Sequence, residues 1–229
     1  MAINLKSTKD LAVNGVKLLV YGQAGAGKTS LIKTLPKPII LSAESGLLSI
    51  KGEELNYIEI KTMEDLKEAY DWLIASDEAK IYESIALDSI SEIGEVVLGK
   101  EKKQTNDPRK AYGAMQDQMM DVIRAFRDIP GKHVYFSAKL EKSQDEMGKI
   151  MYNPSMPGKT LTQQIPYFFD EVLALRVERD ESGNIHRALM CETDGLWFAR
   201  DRLGKLSQWE DTNLTNIINK LSGVVKNEN

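Results

Sequence analysis

Gly22, Gly27, Lys28 and Thr29 stand in the order and spacing G-x-x-x-x-G-K-[ST]. Glycines at these places let the backbone curl until successive N–H groups face anionic oxygens. A lysine ammonium then neutralises the outer phosphates, and a threonine hydroxyl is placed to ligate magnesium. The turn Gly22, Gln23, Ala24, Gly25, Ala26, Gly27, Lys28, Thr29 and Ser30 is therefore the candidate cradle for a nucleoside triphosphate. Two carboxylates could complete the chemistry. Asp88 closes the apolar run ESIALD and is the candidate on the metal side, although the same position would serve as a helix N-cap. Glu44, in IILSAESG, could polarise a water in line with the terminal phosphate, with Glu92 as its rival one turn into the following helix.

These residues need strand ends to hold them together. VKLLVYG (16–22) reads as a strand feeding the phosphate turn, and GKTSLIKTL as the helix that follows, stopped by Pro36. PIILSAE (38–44), NYIEI (56–60), ESIALDS (83–89) and KHVYFSA (132–138) read as further strands. Thr62 with Asp65 forms a capping box for a helix to about Ala75. Met115, Met119, Ile123 and Phe126 recur at helical spacing over 110–128, which is a core stripe. DEVLALRVERD and GNIHRALMCET, joined by DESGN, predict an antiparallel hairpin, and a short amphipathic helix closes the chain over about 211–222. The alternation predicts one α/β domain over 1–229, with a mostly parallel sheet flanked by helices and the hairpin near its end. Two polar stretches, 99–110 and 141–159, lack a sustained period and read as loops.

Composition narrows the class. A 229-residue chain with net charge −4 is not a uniformly basic nucleic-acid coat, so any nucleic-acid contact must come from a local patch. The single cysteine, Cys191, cannot form an internal disulfide, which fits a reducing compartment. No apolar run approaches membrane-spanning length and the first eleven residues carry no apolar leader, so a cytoplasmic protein is expected. His133 and His186 have no ligating neighbours and read as ordinary strand residues. The guanine signature Asn-Lys-x-Asp is incomplete in NKLS, which argues against a GTPase. A P-loop kinase acting on a small molecule stays as an alternative, although 141–159 lacks the arginines of a kinase lid.

Beyond the phosphate turn, IILSAESGL resembles the glutamate-bearing strand of RecA recombinases. FFDEVLALRVERD resembles a late strand of RecA, RadA and replicative helicases, and RALMCETDGLWFARDRLGKL their ending. Over roughly 15–206 the chain resembles the phage-encoded RecA-like ATPases, some of which are single-strand annealing recombinases. The resemblance implies a RecA-like core with Lys28, Thr29, Asp88 and Glu44 in the roles above. It implies Arg200 and Arg202 as fingers reaching a neighbouring subunit's ATP, with either as the working one, since lysine commonly stands at the first position. It also implies a homo-oligomer, ring or filament, acting on single-stranded DNA in recombination or annealing, with a single-strand-binding protein as a further partner. The two polar stretches fall where RecA proteins keep DNA-contacting loops, and Tyr152 could stack a base there. A nucleotide-controlled assembly protein with little DNA affinity and a helicase motor are the other members of this reading.

Overall fold

The computed structural model describes residues 15–44, 46–144 and 147–223. The sequence reading of the first eleven residues lies outside them. Apolar residues fill both sides of β1 (Lys17–Gly22), which is buried along its whole length, as a strand covered on both faces requires. The phosphate turn leads into α1 (Lys28–Leu31), a single turn continued by a 3-10 turn over Ile32–Thr34. β2 (Pro38–Ser42) and β3 (Asn56–Glu59) follow, then α2 (Met63–Ala75), opened by reciprocal bonds between Thr62 and Asp65. β4 (Ser84–Asp88) runs into α3 (Ile90–Gln104), and α4 (Pro108–Arg127) returns to β5 (His133–Gln144). β6 (Ile150–Ser155), α5 (Lys159–Gln164), β7 (Glu171–Arg179) and β8 (Ile185–Met190) come next. The short β9 (Arg200–Asp201) and β10 (Trp209–Glu210) precede α6 (Leu214–Ser222).

The strands form one sheet in the order β10-β8-β7-β1-β5-β4-β2-β3, with β6 added to β5 and β9 to β7. The strands from β7 to β3 are mutually parallel, whereas β8, β10, β6 and β9 pair antiparallel. Apolar cores cover both faces. One holds the helical stripe Met115, Met119, Ile123 and Phe126 of α4 together with residues of α2 and α3. The other packs Leu31 and Ile32 beside Leu214, Ile217, Ile218 and Leu221 of α6. Parallel order brings the carboxyl ends of β1, β2, β4 and β5 to one edge, the place where open α/β sheets bind ligands.

Two expectations are corrected. The stretch 99–110 is no loop: α3 runs through Gln104 and α4 begins at Pro108, with Asp107 accepting from the Arg109 N–H as N-cap. Charge hid this, because an exposed helical end needs no apolar period. The stretch 141–159 is likewise structured. β5 continues to Gln144 and pairs with β6 in a hairpin, and Lys159 opens α5. A hairpin that leaves the core alternates too weakly to show as strands in the sequence.

Candidate nucleotide site

The phosphate turn leaves β1 at Gly22, where a Cβ would stand 2.8 Å from the Leu175 carbonyl oxygen, so only glycine lets the strand pass this close. Gly27 holds φ at 110°, a backbone state that side chains rarely accept. Lys28 Nζ donates to the carbonyls of Gly22 at 2.9 Å and Gln23 at 3.0 Å, which folds it back over the turn. Burial lowers its pKa, against the pull of Glu44 and Asp88. Thr29 Oγ1 donates to Asp88 Oδ2 at 2.7 Å, and Ser137 Oγ donates to Asp88 Oδ1. One carboxylate thus joins the end of β4 and the middle of β5 to the start of α1. Ser89, not Asp88, caps α3, accepting from the Glu92 N–H, so the capping alternative for Asp88 falls.

Glu44 completes the group. The Ala43 N–H donates to the Asp88 carbonyl at 2.9 Å, which sets the end of β2 beside that of β4. Ser89 Oγ then donates to Glu44 Oε1 at 2.6 Å and fixes the carboxylate. Its other oxygen faces the phosphate turn: the Cβ position of Gly46 lies 3.9 Å from Glu44 Oε2 and 3.7 Å from Thr29 Oγ1. Residues 24–30, Glu44, Leu175, Arg187 and Thr212 enclose a cavity of about 600 Å³. Glu92 is turned to Lys139, at 2.5 Å, and does not line this cavity.

The donor set fits magnesium. Burial raises the Asp88 pKa despite its two hydroxyl partners, and a divalent cation would hold that carboxylate ionised. Thr29 and Asp88 offer hard oxygen ligands, and the described residues contain no cluster of three or more His, Cys, Asp or Glu that would form a cage alone. Such a pair suits an ion shared with phosphates and water. The histidines stay outside: His133 Nδ1 accepts from the Val16 N–H, and His186 bonds Asp180 in the hairpin turn.

Arg200 and Arg202 are not brought to this chain's cavity. Asp201 between them pairs with Glu171, which is level with Leu18 at the start of β1, so they sit at the opposite end of the sheet. Arg200 donates to the carbonyls of Pro166, at 2.6 Å, and of Phe169. Arg202 bonds Asp170 at 2.7 Å. The two arginines take separate partners, and β9 ends between them at Asp201. Tyr152 is also engaged: its ring stacks on Trp197 at 4.5 Å, and Trp197 on Tyr21 at 6.1 Å. The residue that sequence reasoning missed is Arg187, whose Nε donates to the Ala26 carbonyl at 3.0 Å. Its signal was present in GNIHRALMC: Arg187 shares strand parity with the fully buried Leu189 and Cys191.

No curated protein sequence matches the chain. Among solved structures it is similar to an ATPase from the type III secretion system of pathogenic bacteria, with 12% identity and a TM-score of 0.49 over 71% of this chain. It spans about half of that ATPase, 52% of its length. It is similar, too, to a KaiC-like protein of Pyrococcus horikoshii, at 12% identity and a TM-score of 0.41, covering 77% of this chain and 78% of that one. A family model described as an AAA domain matches residues 14–203, which takes in every strand from β1 to β9 together with Lys28, Thr29, Glu44 and Asp88. With a P-loop, a strand-end aspartate and a parallel sheet inside that match, the chain belongs to the AAA domain family of P-loop proteins.

Proposed function

We propose that the chain is a Mg2+-dependent ATPase that works as a homo-oligomer on single-stranded DNA, in recombination or annealing of the phage RecA-like type. The observation that supports hydrolysis is that Lys28, Thr29 and Glu44 line one cavity, with Asp88 hydrogen-bonded to Thr29. In this reading Lys28 leaves its carbonyl partners for the β- and γ-phosphates. Thr29 and Asp88 hold the magnesium, which when bound neutralises charge on the phosphate oxygens. Glu44, oriented by Ser89, aligns a water through Oε2 and takes its proton as the water attacks.

DNA binding is supported by the turn between α3 and α4. Lys102, Lys103, Arg109 and Lys110 are all exposed there, and none has an ion-pair partner among the described residues. Lys100, by contrast, is bound to Glu64 at 2.7 Å. No helix of the described residues is long and apolar enough to cross a membrane. The test is the ATPase rate with and without single-stranded DNA at low and moderate salt. Stimulation that fades with salt is expected. Hydrolysis indifferent to DNA would leave a nucleotide-controlled assembly protein, and transfer of the phosphoryl group to a small acceptor would leave a kinase.

A further inference from the structure

The hairpin of β7 and β8 overhangs the phosphate turn. Tyr21 pairs with Ala174, so Leu175 is level with Gly22 and everything beyond Leu175 on β7 extends past the end of β1. Across the hairpin, Leu175 faces Leu189 and Val177 faces Arg187. Alternation puts Arg187 on the sheet face of Leu189 and Leu175, the face that packs α1. The apolar column along that face therefore ends in a guanidinium lying over the turn. Its Cδ and Nε lie 3.8 and 3.7 Å from where a Cβ on Gly27 would stand, and Nε is fixed on the Ala26 carbonyl. The two terminal nitrogens have no hydrogen-bond partner among the described residues, and Arg187 has no ion pair there either.

Cations outnumber acids around the cavity. Lys28, Lys33 and Arg187 line it against Glu44, whose Oε1 is already taken by Ser89. Lys33 leans away towards Glu53, at 3.5 Å, which leaves Lys28 and Arg187 facing the cavity from two sides. Like charges held this way are stabilised when a polyanion comes between them. A guanidinium anchored through Nε keeps its two outer nitrogens parallel, the geometry that meets two oxygens of a phosphate at once.

We infer that Arg187 is a second phosphate-binding cation of the nucleotide site, supplied in cis by the β7–β8 hairpin. It grips the polyphosphate with its outer nitrogens while its Nε steadies the turn through Ala26. The inference rests on the nucleotide reading of the cavity, so the test carries a control for that reading. MgATP binding is measured by calorimetry at low and at moderate salt for the wild type, Arg187→Met, Arg187→Lys and Lys28→Ala. Methionine keeps the apolar stem and loses the charge. Arg187→Met is expected to bind ATP about ten- to a hundredfold more weakly at low salt, the range of a lost charge-assisted bond. The deficit should shrink at moderate salt, where phosphate contacts are screened. Arg187→Lys should recover part of the loss. If Arg187→Met binds within about twofold of the wild type while Lys28→Ala does not bind, Arg187 is no phosphate ligand and the cavity keeps its assignment. A deficit that salt leaves untouched means a packing role only and overturns the inference. A wild type that does not bind ATP removes both readings.

Discussion

Lys28 is held by two carbonyls of its own turn, so its removal costs the fold little and the ligand much. Lys28→Ala is expected to keep its melting temperature within a few degrees and to lose measurable ATP binding by calorimetry. Glu44→Gln tests a different step. The amide can still accept from Ser89, so nucleotide binding should persist, while turnover falls by on the order of a hundredfold or more for want of a base. Glu92→Gln should leave turnover within a few-fold, because its carboxylate serves Lys139. The reverse ranking in a steady-state assay would move the base to Glu92. Lys28, Thr29, Asp88 and Glu44 were legible because each sits at or just past the end of an apolar run, and parallel order gathers such ends. Arg187 was not, since a charge in a hairpin declares itself only once the strand's parity and its overhang are known. The contacts of Arg200 were not legible for a related reason. Its alternation with Arg202 is real in the sequence, but two carbonyls and the end of β9 take it inward.

At the scale of elements, the α3–α4 turn gathers four exposed cations from two helices that the sequence divided into helix and loop. Lys102 also lies over the Tyr112 ring at 5.4 Å, which ties the two helix ends together. Replacing Lys102, Lys103, Arg109 and Lys110 by alanine should weaken single-stranded DNA binding and flatten its dependence on salt, since each phosphate contact releases counterions. ATPase without DNA should stay near wild type. Fluorescence anisotropy over a salt series reads both quantities, and an unchanged slope would remove the DNA contact from this turn. Lys100 is left out, because its ion pair with Glu64 belongs to the packing of α3 beside α2. The strands were read well where both faces are buried and poorly where β5 and β6 run out into a half-exposed hairpin. There the side chains alternate between partly covered and exposed, and composition carries almost no pattern.

The whole molecule has a seam at the far end of the sheet, where Glu171 is fully buried and neither of its oxygens has a hydrogen-bond partner among the described residues. Burial, then the facing Asp201, pushes its pKa from 4.5 up to about 8. In the folded chain the group therefore keeps a proton that the unfolded chain releases near pH 4.5. Its contribution is intact below that pH and is lost as pH rises through about 8. The wild type should melt progressively lower from about pH 5 to 8, and Glu171→Gln should flatten that slope and melt higher at pH 8. A constant gap between the two melting curves across this range would show that Glu171 does not titrate in the fold. Assembly is tested at the same end. Arg202 is half-exposed and held by a surface pair with Asp170, an interaction weak enough to exchange for a neighbour's phosphate. Arg202→Ala should bind ATP yet lose most hydrolysis, and mixing it with Lys28→Ala should restore part of the rate. No rescue in a mixture shown by light scattering to co-assemble would end the trans role.

β1, the strand that carries the phosphate turn, lies between β5 and β7, with Leu18 paired to Tyr135 on one side and to Glu171 on the other. On the ribosome, then, β1 meets β5 first and waits for β7 to complete its flanks. At roughly 5–20 residues per second, something like 8 to 30 seconds separate synthesis of β1 from that of its second neighbour. Until β7 arrives KLLVY keeps one apolar, β-prone edge open, the kind that chaperones bind and that pairs with other nascent chains. The phosphate turn would thus lack one of its two flanking strands until β7 is made, and a chain stalled before β7 would have that turn written but only half supported.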